Sequence, residues 1–342
     1  MIKNFIICFV LVNLFSCKQS NIPDTSHIES DVKIIRTDQE LINVKNREDL
    51  DKLILKNPAF YGIYFKEVLP VYQGENKDSL YRNFSEFIKD TSVISLFTKV
   101  YKSYHDFSSV KKEIDMMYKY LKYYFPEHKD VPDIYTYVSE FAFQIFIFED
   151  ENGKDGIGIG LDMFMSPEID YKTINPDNTN FSDYLTRSWD SRHIVKKLTD
   201  LYVNEMIGNA PGHRLIDQMI HNGKALYITD LLLPEVHDSI ILEYTGDQLD
   251  WCTENALEMW SFFLGRKLFY ESNPVVTGKY LNPSPNSPDM PSGAPGRTAN
   301  FIGWQIVRAY MDRYPDTGLK ELISLTDSQM IMEKSKYKPK QK

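Results

Sequence analysis

The period of the hydrophobic pattern changes once along this chain, and that change limits the fold more than any other feature. From Ser79 to about Phe125 apolar residues recur at helical spacing, Leu80, Phe84, Phe87 and Ile88 among them. Tyr118, Leu121 and Phe125 close a helix that Pro126 ends. The period then shortens. Asp133–Val138 alternates polar and apolar, and Phe141–Phe148 is an apolar run rich in aromatics, so both read as strands. Gly156–Met163 predicts another strand after the turn EDENGKDG, and DVKIIRTD, within residues 31–45, predicts a first one. Helical patterns flank this region. Residues 46–70 read as helix, broken at Asn57-Pro58 and ended near Pro70. Residues 191–209 and 212–232 predict two more helices. Thr245-Gly-Asp-Gln248 is a capping box opening a helix with Leu249, Cys252, Ala256, Trp260 and Phe263 on one face. Arg297–Tyr314 predicts a further helix, and Thr326-Asp-Ser-Gln329 a second capping box before the last one. The expected fold class is α+β, a mostly helical single domain with a small β-sheet. The Pro-rich run at 282–296 lies too near the C-terminus to bound a domain and reads as a loop.

The N-terminus sets the compartment. Lys3 precedes an apolar run over residues 5–15 broken only by Asn13, too short for the roughly 20 apolar residues that span a bilayer. A short apolar run behind a basic start reads as a secretory signal peptide, residues 1–16. Its end, Leu14-Phe15-Ser16-Cys17, resembles the lipobox of bacterial lipoproteins, which makes Cys17 the expected lipidation site and first mature residue. More than one acyl chain gives stable anchoring. After cleavage Cys252 is the lone cysteine, so no internal disulfide can form and the fold must rely on its core. Residues 18–30 are polar and aperiodic and read as a linker after the lipidated Cys17; the globular domain is expected over 31–339. No later segment reaches about 18 uninterrupted apolar residues. Lys18-Gln19-Ser20 follows Cys17, without the Asp that retains some lipoproteins in the inner membrane. The expected location is therefore the periplasmic face of the outer membrane. The net charge of −9 argues against a nucleic-acid surface. The basic ending KSKYKPKQK reads as a solvated tail.

Catalytic motifs are mostly missing. There is no Walker loop and no Gly-x-Ser-x-Gly elbow. Gly156, Gly158 and Gly160 share one strand face and read as a strand closely approached by other backbone. Asp150–Gly156 lacks calcium ligands at the positions a loop of that type needs and reads as a hairpin turn. His213, Asp217 and His221 are spaced by four and so share one helical face. His213 and His221 are separated by about 12 Å of helical rise, so at most two of the three can share one metal ion.

Several longer motifs occur in a distinctive order. They are DGIGIGLDMF (155–164), LIDQMIHNGKALYITDLLLP (215–234), YTGDQLDWC (244–252), ALEMW (256–260), KYLNPSP (279–285), PGRTANFIGWQIVRAYM (295–311) and LISLTDSQMIMEKSKYKP (322–339). Together they resemble the gliding-motility lipoprotein GldB family of Bacteroidetes-type bacteria, from about residue 30 to 339. The resemblance implies an envelope lipoprotein needed for surface gliding, linked to the type IX secretion machinery. A second resemblance is to gluzincin-type zinc metallopeptidases, and it implies a degenerate fold of that kind. The stretch Tyr202–Gly208 takes the place of the His-Glu-x-x-His helix, with Asn204 and Gly208 where the histidines would be and Glu205 at the catalytic carboxylate. Asn222 then stands where the third, glutamate ligand would be. The zinc ligands are lost under this reading.

Three functions are open to such a chain. The first is a non-catalytic interaction module, with no catalytic residues, no metal and no cofactor. It would be held at the membrane by its lipid and contact other gliding or secretion proteins of the envelope. Asp217, Gln218, Lys224, Arg297 and Trp304 are its candidate groove. Each has a plainer role: Trp304 as core, Arg297 through its N–H groups at a helix start, and the others as helix-surface polar residues. The second is a metal-dependent, peptidase-like hydrolase using His213 or His221 at an atypical site. The third is a soluble-ligand binder, with glycan as one candidate ligand.

Overall fold

The computed structural model describes residues 22–69, 71 and 77–339. Residues 1–16, expected as a signal peptide, and Cys17, the expected lipidation site, lie outside the described residues. Helices come first: Thr37–Leu41 (α1), Arg47–Lys56 (α2), Pro58–Ile63 (α3), Lys77–Phe87 (α4), Thr91–Tyr104 (α5) and Ser108–Tyr124 (α6). Asn46 caps α2 through Asp49 N–H, and Asn57-Pro58 breaks it as expected. A π-helical turn, Tyr64–Val68, continues α3. Phe125 ends α6 directly before Pro126.

The sheet lies between the helical segments. Strand β1 (Ile34–Ile35) is much shorter than the sequence suggests, because α1 starts at Thr37. Strands Asp133–Tyr137 (β2), Ile145–Glu149 (β3) and Asp155–Gly160 (β4) complete the order β1-β2-β4-β3. β1, β2 and β4 run parallel, and β3 is the antiparallel edge. The apolar run from Phe141 does not enter the sheet at once. Glu140 and Phe141 both take the left-handed conformation (φ 53° and 67°), and the chain turns there before β3. The third strand ends at Gly160 because Leu161–Phe164 winds into a 3-10 turn.

The β4 glycines share one face, as the spacing predicts, but mostly aromatic rings approach them, not backbone. A Cβ on Gly156 would lie 2.4 Å from the Phe148 ring, and one on Gly158 2.6 Å from Phe146. Only Gly160 meets backbone, 2.2 Å from Phe143 O. The missing side chains make room for a layer of rings. Phe60 of α3 stacks on Tyr135 at 4.9 Å and on Phe146 at 6.1 Å, with Tyr64 beside it at 5.4 Å.

The remaining helices build the second half: Tyr171–Ile174 (α7), Asp183–Thr186 (α8), Ile194–Ile207 (α9), Leu215–Leu232 (α10), Asp238–Leu242 (α11), Gly246–Glu254 (α12), Ala256–Gly265 (α13), Pro274–Leu281 (α14), Thr298–Arg313 (α15), Leu319–Ser324 (α16) and Ser328–Ser335 (α17). The Thr245/Gln248 capping box is present in both directions. The single helix expected after it is two, broken at Asn255, although Leu249, Cys252, Ala256 and Phe263 are all buried. The second capping box does not form. Asp327, not Thr326, caps α17 by accepting from Met330 N–H at 2.9 Å, and Gln329 donates to Glu333 instead. α10 packs most extensively on α15. Their backbones touch where Gly223 faces Gly303, since a Cβ on Gly303 would sit 1.9 Å from Met219 O. Cys252 is fully buried, and burial pushes its thiol up to about 12.

Candidate functional site

The densest set of buried charges gathers around Glu243. Helix α11 ends there, and Glu243 takes the left-handed conformation (φ 57°) that caps the helix. That turn sends its carboxylate inward, where the residue is 8% exposed. Two consecutive lysines on α9 reach it, Lys196 Nζ and Lys197 Nζ each 2.6 Å from Oε1. Arg297, itself left-handed at φ 62° before α15, donates to Oε2 at 3.2 Å and to Leu242 O at 3.3 Å. Asp200 accepts from Lys196 at 2.7 Å, and Arg187 Nε donates to Glu243 O at 3.0 Å. Non-glycine residues held left-handed carry a conformational cost and persist where their surroundings fix them.

The electrostatics follow from this packing. Burial works against the Glu243 carboxylate, but Lys196, Arg297 and Lys197 hold it well below the ordinary carboxylate range. Burial likewise opposes charge on Lys196, and Asp200 and Glu243 together raise it above the usual lysine value. Lys197 is lowered by burial and by its neighbour Lys196 in spite of Glu243. Arg187 adds a fourth cation, lowered by burial, and no described carboxylate pairs with its terminal nitrogens. It lines a cavity of about 600 Å³ with Lys172, Asn178, Ser182, Thr245 and Gln248. Asp183 lines it as well and pairs with Lys172 at 2.9 Å, so the wall carries both signs of charge.

The sequence-predicted residues do not share one groove. Arg297 belongs to the Glu243 cluster, and its guanidinium is engaged there, so the charge counts as well as the helix start. Trp304 is fully buried in α15, with the Arg308 guanidinium 3.6 Å over its ring. Asp217 is buried and forms a capping box with Arg214, whose Nη2 is 2.7 Å away. Gln218 donates to Gly212 O at 2.7 Å. Lys224 is buried and donates to the carbonyls of Leu325 and Ile323, and burial lowers its ammonium to about 8. None of the five lines any of the cavities described here.

The positions compared with zinc ligands are dispersed too. Asn204 and Glu205 are exposed near the end of α9. Gly208 is the C-cap of that helix at φ 61°, donating to Asn204 O, a place where glycine is favoured for its backbone. Asn222 donates to Asn300 Oδ1 at 2.9 Å. His213 does not share a helical face with Asp217 and His221, because α10 begins only at Leu215. Among the described residues, no group of three or more His, Cys, Asp or Glu is placed to hold a metal ion.

Besides Glu243, the sequence reading missed a second buried carboxylate with a structural part to play. Asp162, fully buried after β4, accepts from Ser139 N–H at 3.0 Å and Phe141 N–H at 2.7 Å. These bonds hold the left-handed pair Glu140-Phe141 at the end of β2. Burial outweighs them and pushes the Asp162 carboxyl up to about 6. The native state therefore binds this proton more tightly than the unfolded chain does. The cost of the buried charge is complete above about pH 6 and is relieved as the pH falls toward 4. Relative to Asp162→Asn, the natural protein should gain about 2 kcal/mol between pH 7 and pH 4, measured by urea unfolding at both values. A constant difference would contradict the burial argument. No sequence pattern marks Asp162, because its donors lie 21 and 23 residues away.

Comparison with known families decides the relationship. The chain matches the gliding motility protein GldB family over residues 18–339. It belongs to that family. Membership in the GldB family makes this a gliding-motility-related protein of lipoprotein type, associated with the cell envelope. No curated protein and no solved structure matches the chain, so the likeness to zinc metallopeptidases gains no support. Among the described residues, no helix of this GldB-family chain is long and apolar enough to cross a membrane.

Proposed function

We propose that this GldB-family protein is a non-catalytic, lipid-anchored component of the gliding apparatus. It acts as an accessory to the type IX secretion machinery on the periplasmic face of the outer membrane, through contacts with other envelope proteins. The observation that carries this reading is the Glu243 cluster. Lys196, Lys197 and Arg297 are tied to one buried carboxylate, so the densest charged chemistry of the fold is used to fix helix ends. A rigid module of this kind suits docking in an assembly. The lipobox-like end of the leader at Cys17 supplies the attachment.

Attachment is tested directly. Cys17→Ala should move the protein out of the membrane fraction or block its maturation. A variant that stays with membranes after a salt wash would overturn the lipid anchor. The non-catalytic role is tested by metal analysis of the purified protein. Stoichiometric zinc that is lost in His221→Ala or His213→Ala would overturn it in favour of a hydrolase.

A further inference from the structure

The second half of the run expected as a linker, from about Thr25, is fastened to the domain. Thr25 is 6% exposed and lies close enough to Tyr120 on α6 to act on its hydroxyl. Lys122 Nζ donates to Glu29 O at 3.0 Å. Asp115 accepts from Ser30 Oγ at 3.1 Å and from Val32 N–H at 2.8 Å. Residues 25–32 therefore lie along α6, and Ile22, the first described residue, stands five positions after Cys17. Five residues span at most about 17 Å, against about 45 Å for the thirteen expected.

That limit decides which side of the domain meets the lipid. The chain leaves the fold beside the C-terminal half of α6, where Met116, Tyr120, Tyr123 and Tyr124 recur at helical spacing. Tyr123 is 44% exposed and packs edge-on against Tyr124 at 5.0 Å, and Ile22 is 44% exposed. Next to them is an apolar cavity of about 230 Å³ lined by Met116, Leu233, Pro234 and Val236. Met116 lines the cavity and stands seven residues, about two turns, before Tyr123 on α6, so cavity and exposed ring lie on one helical face. Tyrosine favours the boundary between hydrocarbon and water, with its ring in one and its hydroxyl in the other.

We propose that this face, Ile22 with Tyr123 and the Met116–Val236 cavity, lies against the phospholipid bilayer that holds the Cys17 lipid. The proposal rests on the anchor at Cys17. The occupant is assigned as bilayer because the chain outside the structure is too short to let this face turn far from it.

The test uses the full lipidated chain in vesicles of phosphatidylethanolamine and phosphatidylglycerol. A fluorophore is placed through Tyr123→Cys and, separately, through Leu55→Cys on α2, which is 77% exposed and packs with α3 on the aromatic side of the sheet. Buried Cys252 does not compete for the label. Lipids brominated on their acyl chains should quench the Tyr123 label at least about threefold more than the Leu55 label, as expected for a ring at the interface. Equal quenching at the two positions, with the protein still bound to vesicles, would overturn the proposal and leave the anchor standing. Failure of the natural chain to bind vesicles would overturn the anchor itself. A Tyr123 label unquenched on vesicles but shielded in whole envelopes would assign the face to a protein instead.

Discussion

Glu243→Ala should destabilise the protein by about 3–5 kcal/mol, the usual effect of removing one partner from a buried ion pair. The loss has two parts. Lys196, Lys197 and Arg297 lose the carboxylate that lies within 3.2 Å of each. They also remain close together, with Asp200 the nearest compensation for Lys196. Glu243→Gln keeps the acceptor oxygen and the shape but not the charge, so it should fall between the two proteins. The pH dependence has a definite sign. A carboxylate held below its ordinary value stabilises the fold above its unfolded pKa, and that contribution is lost as the pH falls through the lower native one. The natural protein should therefore lose its advantage over Glu243→Ala in acid, well below pH 4.5. Urea unfolding at neutral and acid pH measures both effects. A neutral-pH difference under about 1 kcal/mol would mean that the cluster is a surface network, of the kind worth little.

The second large effect is expected at the crossing of α10 and α15. Gly303→Ala should cost at least about 3 kcal/mol, because the new methyl group meets main chain and not a movable side chain. Met219 O would lie 1.9 Å from it, so the helices must separate. At about 2.1 cal/mol/K of unfolding entropy per residue, such a loss in a domain of this size lowers the melting temperature by roughly 5 °C. Alanine has the better helix propensity by about 1 kcal/mol, so propensity alone predicts the opposite sign. Gly62→Ala provides the contrast. Gly62 lies in α3 with nothing within 4 Å of an added Cβ, and the same substitution there should stabilise slightly. Similar melting temperatures for Gly303→Ala and the natural protein would refute the backbone contact.

The two halves of the sequence differ in how much they disclose. The helical stretches over 46–70 and 79–125 follow from apolar spacing and from Asn57, Pro58 and Pro126, but the division of the second into α4, α5 and α6, at Asp90 and before Ser108, was not read. The strands were legible as strands but not in extent. β3 starts four residues late because Glu140 and Phe141 are held left-handed by Asp162, a residue beyond the next two strands. The Thr245 capping box was readable because its partners are three residues apart. Thr326 matched the same pattern, yet Asp327 stands one residue nearer the helix and its carboxylate takes the role. The Glu243 cluster was the least legible part. Its members come from α9, the end of α11 and the start of α15, and only the packed topology brings residues 196, 243 and 297 together. Arg297 alone was singled out, since its motif stands out in sequence. Polar, aperiodic sequence reads as a linker, yet residues 29–32 hydrogen-bond to Asp115 and Lys122 of α6, 83 to 93 residues away, and no local pattern announces partners so distant.

Cys252 carries a consequence of a different kind. Thiol–disulfide exchange needs an accessible thiolate, and this sulfur has neither access nor charge: it is fully buried and its ionisation is pushed up to about 12. A natively folded chain can therefore remain in an oxidising compartment as a permanent single thiol. With Cys17 carrying the proposed lipid and the leader removed, Cys252 has no free partner for a wrong internal pairing, and it offers no accessible sulfur through which two copies could become covalently joined. Crosslinked dimers found in a preparation would mark molecules that had opened around α12, which makes this residue an internal gauge of unfolding.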